Sequence, residues 1–236
     1  MFDYIYELNE NGFAIVENVI DSKGVKRLKD ELDSIASSEA AKKKGQSIFG
    51  VRNLLKEVPF VAEIANSGEL RRLFEPIIGN DAKVVRAIYF DKTPEANWKV
   101  AWHQDLTIAV REKRETKGFE AWSTKAGVAH VQPPDSILEK ILTVRLHLDH
   151  TDETNGALKV LPRSHKKGRL SASEIERLKA SVSPDLCVVP EGGAFLMRPL
   201  LLHASSKCFG ASRRRRVVHL EFSATRLPNG LDWHGS

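Results

Sequence analysis

The run KVAWHQDLTIAV, residues 99–110, is apolar and strand-like, yet it places a histidine and an aspartate two residues apart. Successive side chains of a β-strand point to opposite faces. On that alternation His103, Asp105 and Thr107 share one side, while Trp102, Gln104, Leu106 and Ile108 share the other. Two side chains able to ligate a metal therefore aim into one space, and the strands around this run decide what that space is.

Outward from it, the chain from Ala82 onward is rich in β-branched and aromatic residues. KVVRAIYF, ILTVRLHLD, GALKVLP, CVVP, GGAFLMRPLLL and RRVVHLEFS read as short strands separated by turns. Asn155-Gly156 is a turn signal expected to link two of them. Many short strands in one domain favour a sandwich or barrel over a parallel α/β sheet. Upstream, YIYELNENG predicts a helix closed at Asn11-Gly12, and FAIVENVI a strand. Val25, Leu28, Leu32 and Ile35 recur at helical spacing, and VPFVAEIANSGELRRLFEPIIG predicts a further helix ending at Gly79 or Asn80. The expectation is one domain over 1–236, with a helical part over about 1–80 and a β core over about 82–225. Residues 111–134 lack periodicity and read as a loop, a candidate lid over the site.

Composition narrows the class. With 236 residues and a 42% hydrophobic share, the chain can build a sizeable core. No stretch approaches the roughly 18–20 apolar residues of a membrane span, and the N-terminus has no basic start and apolar run of a signal peptide, so the expected compartment is the cytoplasm. Cys187 and Cys208 are too few for a disulfide framework and read as reduced thiols. The net charge of +5 and the basic clusters Lys42–Lys44 and Arg213–Arg216 invite a nucleic-acid reading. Against it, 31 acidic residues are interspersed among the 36 basic ones and no nucleic-acid motif appears. No nucleic-acid or membrane partner is expected.

Eight histidines are present, and the H-x-D spacing occurs three times, at His103/Asp105, His147/Asp149 and His150/Asp152. A mononuclear non-haem iron site takes two imidazoles and one carboxylate, leaving the remaining positions open. His203, read as closing an apolar strand, is the candidate third ligand, with His219 in reserve. In LTVRLHLD one face is Leu142, Val144, Leu146 and Leu148; the other, with Thr143, Arg145, His147 and Asp149, either lines a cavity or meets solvent, the commoner case. His150/Asp152 lies in a turn. Spacing alone leaves the first two pairs as rivals.

Three further stretches break the tie. WHQD at 102–105, TNGALKVLPRSHKKG at 154–168, and HASS at 203–206 followed by RRVVHLEFS at 215–223 resemble the phytanoyl-CoA dioxygenase family of iron(II)- and 2-oxoglutarate-dependent oxygenases. The resemblance implies a mainly β protein, a double-stranded β-helix (a cupin-like jelly-roll barrel) with helices packed on one sheet. It implies His103, Asp105 and His203 as the iron ligands. The cofactors would be Fe(II), 2-oxoglutarate as cosubstrate and O2, and the reaction hydroxylation of a C–H bond in a small organic substrate with release of succinate and CO2.

The family also carries an arginine near residue 215 that pairs with the distal carboxylate of 2-oxoglutarate, a task suited to the planar guanidinium fork. By strand parity Arg213 and Arg215 share a side with Val217, His219 and Glu221, and Arg214 and Arg216 with Val218, Leu220 and Phe222. If helices cover the apolar side, Arg215 faces the cavity; Arg214 is the fallback. The resemblance places Ser205 and Arg145 near the cosubstrate, and Arg145 can instead meet an anionic substrate. Lys92, Gln132 and Trp98 are candidate pocket-edge residues. Pro162-Arg163-Ser164-His165 departs from the commoner P-G-S-H, which changes a turn and not the ligand set. Asp105 argues against the halogenating branch, where a small residue replaces the carboxylate. The alternative is a jelly-roll binding protein without turnover. The sequence carries no signal for oligomeric state.

Overall fold

A computed structural model of the chain describes residues 3–36, 51–52, 54–93, 97–125, 127–208 and 214–235. Lys42–Lys44 and Arg213 lie outside the described residues. Helix α1 (Asp3–Asn11) stops at Gly12, whose φ of +87° reverses the chain into strand β1 (Phe13–Val16). Helix α2 (Ser22–Ala36) buries Val25, Leu28 and Leu32 at the predicted spacing. The single helix expected around residues 58–80 is instead two: α4 (Pro59–Ala65), preceded by the short α3 (Leu54–Glu57), and α5 (Gly68–Ile78). The break is local chemistry. Ser67 accepts from the backbone N–H of Leu70 and so caps a new helix start.

The β core follows an alternating path. Strands β3 (Lys83–Lys92), β8 (Ile141–His147), β11 (Ala194–Met197) and β13 (Arg215–Ser223) sit in one sheet in the order β11-β8-β13-β3, extended by β1 at one edge and β2 (Val51–Arg52) at the other. Strands β4 (Val100–His103), β9 (Leu158–Val160), β10 (Asp185–Cys187) and β12 (His203–Ser205) form a second sheet, ordered β10-β9-β12-β4. The chain passes between the two sheets as it runs from β3 to β13, and every pairing is antiparallel. That is the jelly-roll order expected of the sequence. The Asn155-Gly156 turn, with Gly156 at φ +83°, carries the chain from the first sheet to the second rather than closing a hairpin within one.

Alternation then sorts the side chains. Leu142, Val144, Leu146, Leu196, Val218, Leu220 and Phe222 form the outer face of the larger sheet and pack against Leu8, Leu28, Leu32, Leu70 and Phe74 of the helices. Each such burial contributes roughly 1.5–3 kcal/mol. The same face carries Arg214 and Arg216. Arg214 pairs with Asp91 and Asp33, both at 2.6 Å, and Arg216 with Asp149 at 2.8 Å and Asp33 at 3.1 Å, which ties α2 to the sheet. The inner face is polar: Thr143, Arg145, His147, Arg215, His219 and Glu221, all buried. The polar side of β8 is therefore interior, not solvated.

The segment expected as a loop over 111–134 contains β6 (Glu120–Lys125) and β7 (Val128–Gln132), which join β5 (Ile108–Val110) in a third sheet. Its period is hidden for two reasons. All of β6 but Trp122 is exposed, so no apolar alternation marks it, and its register slips between Glu120 and Ser123.

The Phe74 and Phe222 rings stack with centroids 4.3 Å apart at the join of helix and sheet. Phe222→Ala is expected to cost about 3–5 kcal/mol, read in urea unfolding as a lower midpoint at unchanged slope; a loss under about 1 kcal/mol would show that the helical layer is not coupled to the sheet.

Candidate metal centre

Strands β12 and β4 pair so that His203 lies directly opposite His103. The two rings approach to 4.2 Å between centroids. Asp105 joins them by a different route from the one strand parity supplies, because β4 ends at His103 and the ladder stops there. Gln104 does the work. Its side chain is buried, its Nε2 donates to the carbonyls of Leu200 (2.7 Å) and Gly168 (2.9 Å), and its Oε1 accepts from the Leu170 N–H at 2.8 Å. The Asp105 N–H then donates to the Pro199 carbonyl at 2.9 Å. Gln104 is plugged into one side of the chain, so its neighbours His103 and Asp105 turn to the other.

The carboxylate faces both imidazoles, with Asp105 Oδ1 3.7 Å from His103 Nε2 and Oδ2 3.9 Å from His203 Nε2. These separations are too long for hydrogen bonds and leave a gap enclosed by three ligand atoms. Among the described residues it is the one cluster of its kind. His103 Nδ1 lies 2.8 Å from the Ala101 carbonyl and His203 Nδ1 2.9 Å from that of Leu201. A carbonyl only accepts, so each Nδ1 carries the proton and each Nε2 presents its lone pair to the gap, as a metal-bound histidine requires. Burial pulls the His203 imidazolium down to about 4 against the attraction of Asp105, so the ring is neutral. Burial opposes ionisation of Asp105, but the pull of the basic groups around it, His203, His219 and His103 when protonated and Arg86 throughout, outweighs it and holds the carboxyl below its ordinary value. Two imidazoles and one carboxylate with open space beside them fit a divalent iron.

The rival pairs do not assemble. Strand β8 ends at His147, so Asp149 leaves the inner face and binds Arg216 and Lys29 outside, while His147 Nδ1 engages Thr151 Oγ1 at 2.8 Å. His150 and Asp152 approach to 3.7 Å in a loop, without a third ligand beside them among the described residues. His219 is not a ligand either. Its Nδ1 faces Arg145 at 3.0 Å and its Nε2 faces Glu221 at 3.1 Å. His203 opens β12 rather than closing a strand, as the sequence led one to expect.

The ligand gap opens into a cavity of about 680 Å³ between the two sheets. Arg215, Ser205, Arg145, Gln132 and Trp98 all line it. Arg215 and Lys92 are cross-strand partners, both buried. Lys92 Nζ donates to Ser205 Oγ (3.0 Å) and the Ser206 carbonyl (2.7 Å), Ser205 Oγ donates to the Gly156 carbonyl at 2.8 Å, and Arg215 Nη1 donates to that same carbonyl. Lys92 is therefore inside the wall, not at the pocket edge as expected. Gly156 is required here, since a Cβ would come within 2.7 Å of the Ser206 carbonyl oxygen. No carboxylate of the described residues pairs with Arg215, whose guanidinium burial draws down to about 9. Arg214, the fallback, sits on the outer face with Asp91 and Asp33, away from the cavity. Residue reading missed Gln104 as the anchor and the Arg86–Glu221–His219–Arg145 chain on the inner wall. The alternation of His219 and Glu221 with Val218, Leu220 and Phe222 was the available signal.

A jelly-roll with two histidines, one aspartate and a buried arginine around one cavity defines a non-haem iron oxygenase. The family model for phytanoyl-CoA dioxygenase (PhyH) matches residues 8–216, and the chain belongs to that family. No curated protein matches it. Solved structures share the fold at low identity. AviO1 from Streptomyces viridochromogenes Tue57 is 19% identical with a TM-score of 0.69, covering 96% of this chain and 95% of that one. EctD from S. alaskensis with 2-oxoglutarate and 5-hydroxyectoine is 14% identical at a TM-score of 0.73, covering 94% of this chain and 76% of that one. HygX from Streptomyces hygroscopicus with nickel and 2-oxoglutarate bound is 13% identical at 0.66, covering 94% and 87%. Among the described residues no helix is long and apolar enough to cross a membrane.

Gln104→Leu keeps the volume and removes all three hydrogen bonds. The expected result is a 10–100-fold weaker affinity for iron(II) in a protein that still folds. Isothermal titration under anaerobic conditions checks it, and unchanged affinity would show that the Asp105 backbone is held without this anchor.

Proposed function

We propose that the protein is an iron(II)- and 2-oxoglutarate-dependent hydroxylase in which His103, Asp105 and His203 hold the metal and Arg215 receives the distal carboxylate of 2-oxoglutarate. The observation that carries this reading is the sharing of one cavity by the His-Asp-His cluster and a buried arginine without a carboxylate partner among the described residues. The bound iron with 2-oxoglutarate and O2 supplies the oxidising power, coupling formation of succinate and CO2 to oxidation of a substrate C–H bond.

The side chains divide the remaining work. Arg215 offers a planar fork that binds a carboxylate through two N–H groups, and Ser205 and Lys92 converge on the same spot from β12 and β3. Phe90, Trp98 and Leu158 supply apolar wall that keeps water from the reacting centre. Lys125 and Gln132 bring the β6–β7 hairpin to the cavity, which supports a lid role for this segment. Two free, buried cysteines agree with a reducing cytoplasmic setting. The alternative of a non-catalytic binding protein draws no support from a site that keeps all three ligand side chains.

Anaerobic addition of iron(II) and 2-oxoglutarate to wild type is expected to raise a weak visible charge-transfer band, lost in His103→Ala and kept in His147→Ala. Folded wild type without a band, and without succinate on exposure to O2, would overturn the assignment. A second expectation concerns pH. Burial, then the positive charge of Arg215 and more weakly that of Arg145, lowers the Lys92 ammonium to about 8 against the opposing effect of Cys208. The protonated amine is the form that attracts a carboxylate, so 2-oxoglutarate affinity should fall as pH rises above about 8. In Lys92→Met the affinity should be lower at neutral pH and flatter across the same range; an identical pH profile in the two proteins would exclude Lys92 from cosubstrate binding.

A further inference from the structure

Arg145 is a second buried cation on the cavity wall, in addition to the Arg215 that the proposed function assigns to the distal carboxylate of the cosubstrate. It projects from the centre of β8 into the cavity, and its residue exposure is 6%. Its guanidinium carbon stands 5.4 Å from the centroid of the Phe90 ring. One nitrogen, Nη1, is engaged by His219 Nδ1 at 3.0 Å. Because that contact uses a guanidinium donor, His219 Nδ1 accepts and the ring proton sits on Nε2, which donates to Glu221 Oε1 at 3.1 Å. Glu221 is in turn neutralised by Arg86 at 3.1 Å. The chain of contacts therefore fixes the orientation of Arg145 without cancelling its charge. Its Nε is sealed from solvent without a hydrogen-bond acceptor among the described residues, and no carboxylate among them lies within ion-pair range.

An unpaired charge held in a dry wall is expensive, and proteins keep one where a ligand completes it. The charges of the loaded site identify which ligand. Iron(II) is balanced by Asp105 and the chelating carboxylate of 2-oxoglutarate; the distal carboxylate meets Arg215 and Lys92; Glu221 meets Arg86. Arg145 is left over. With Nη1 committed to His219 and Nε closed off from solvent, Nη2 is the nitrogen left to give a carboxylate in the cavity a charge-assisted hydrogen bond.

We propose that Arg145 binds a carboxylate of the primary substrate, so that the substrate is a small organic acid held by this guanidinium beside the iron. His219 and, through it, Glu221 and Arg86 are positioning residues. The proposal rests on the iron and 2-oxoglutarate reading above. The same guanidinium has a second source of carboxylate, the chelating end of 2-oxoglutarate itself, and the experiment separates the two.

The test uses the full chain, anaerobic, with iron(II) and 2-oxoglutarate, in wild type, Arg145→Gln and Arg145→Lys. The first arm titrates 2-oxoglutarate by its visible band. The second follows, by ¹⁹F NMR with cosubstrate saturating, the binding of 4-fluorobenzoate, 4-fluorophenylacetate and 3,3,3-trifluoropropanoate, each against its own primary amide. We expect at least one acid to bind wild type tenfold or more tightly than its amide. Arg145→Gln should erase that preference while changing 2-oxoglutarate affinity less than threefold, and Arg145→Lys should retain part of it. A tenfold loss of 2-oxoglutarate affinity in Arg145→Gln, comparable to that of Arg215→Gln, would overturn the proposal in favour of the cosubstrate. The absence of any acid preference in wild type would overturn it without need of a variant, even if Arg145→Gln fails to fold. A wild type with no band at all fails the underlying enzyme reading instead, which the first arm detects independently.

Discussion

The cross-strand pairing of His203 with His103 is the contact on which the rest of the molecule depends. Antiparallel partners on the same face of a sheet stand close enough for their side chains to share a ligand, and β12 and β4 are adjacent only because the chain alternates between two sheets on its way from β3 to β13. The pairing fixes two of the three side chains of the cluster with backbone hydrogen bonds. The third cannot come from the same ladder, since the strand ends at His103. Gln104 resolves this by filling a buried polar socket made by Gly168, Leu170 and Leu200. Those three residues belong to segments far along the chain, so the metal geometry is coupled to completion of the fold.

The second organising constraint is the sorting of four consecutive arginines by one strand. Of the described three, Arg214 and Arg216 turn outward to a cluster of aspartates, and Arg215 turns inward to the cavity, where no carboxylate of the described residues pairs with it. The outward pairs are partly exposed, and each is worth little alone, but they share Asp33 and so join α2 to the sheet as a network. The inward arginine costs the fold stability, and the proposed function gives it the cosubstrate carboxylate to bind. Neighbouring positions of the same residue type thus acquire opposite roles from a period of two.

That period is also what made the site legible. Alternation in RRVVHLEFS assigned Arg215 inward, and the ordered motifs around His103, Asn155-Gly156 and His203 carried the fold and pointed to the three side chains that cluster. What escaped the sequence was whatever depended on a partner distant in the chain. The Gln104 socket and the clamp of His219 on Arg145 are tertiary contacts with no local pattern. The β6–β7 hairpin escaped for the opposite reason, because an exposed strand buries too little apolar surface to show a period. The reading of His147/Asp149 as a rival pair was sound up to the end of β8; alternation predicts a shared face only as far as the strand extends.

The polar inner wall has a thermodynamic consequence. Arg145, Arg215 and Lys92 are buried within reach of one another's charge without a carboxylate paired to them among the described residues, and burial lowers each of their proton affinities. Such a wall opposes folding, and the offset lies on the other face of the same strands. There, Leu142, Val144, Leu146, Val218, Leu220 and Phe222 are shielded by helices and buried almost completely. Residues of one strand therefore perform opposed tasks on its two faces: on β8 and β13 the odd positions Arg145 and Arg215 are buried cations on the cavity side, and the even positions Val144, Leu146, Val218, Leu220 and Phe222 are apolar and packed under helices. A substitution on the outer face changes how much of that offset remains, and the first thing it threatens is the ability of the sheet to hold unpaired cations in place. The helical layer, though remote from the His-Asp-His cluster, is in this sense part of what holds buried cations on the cavity wall.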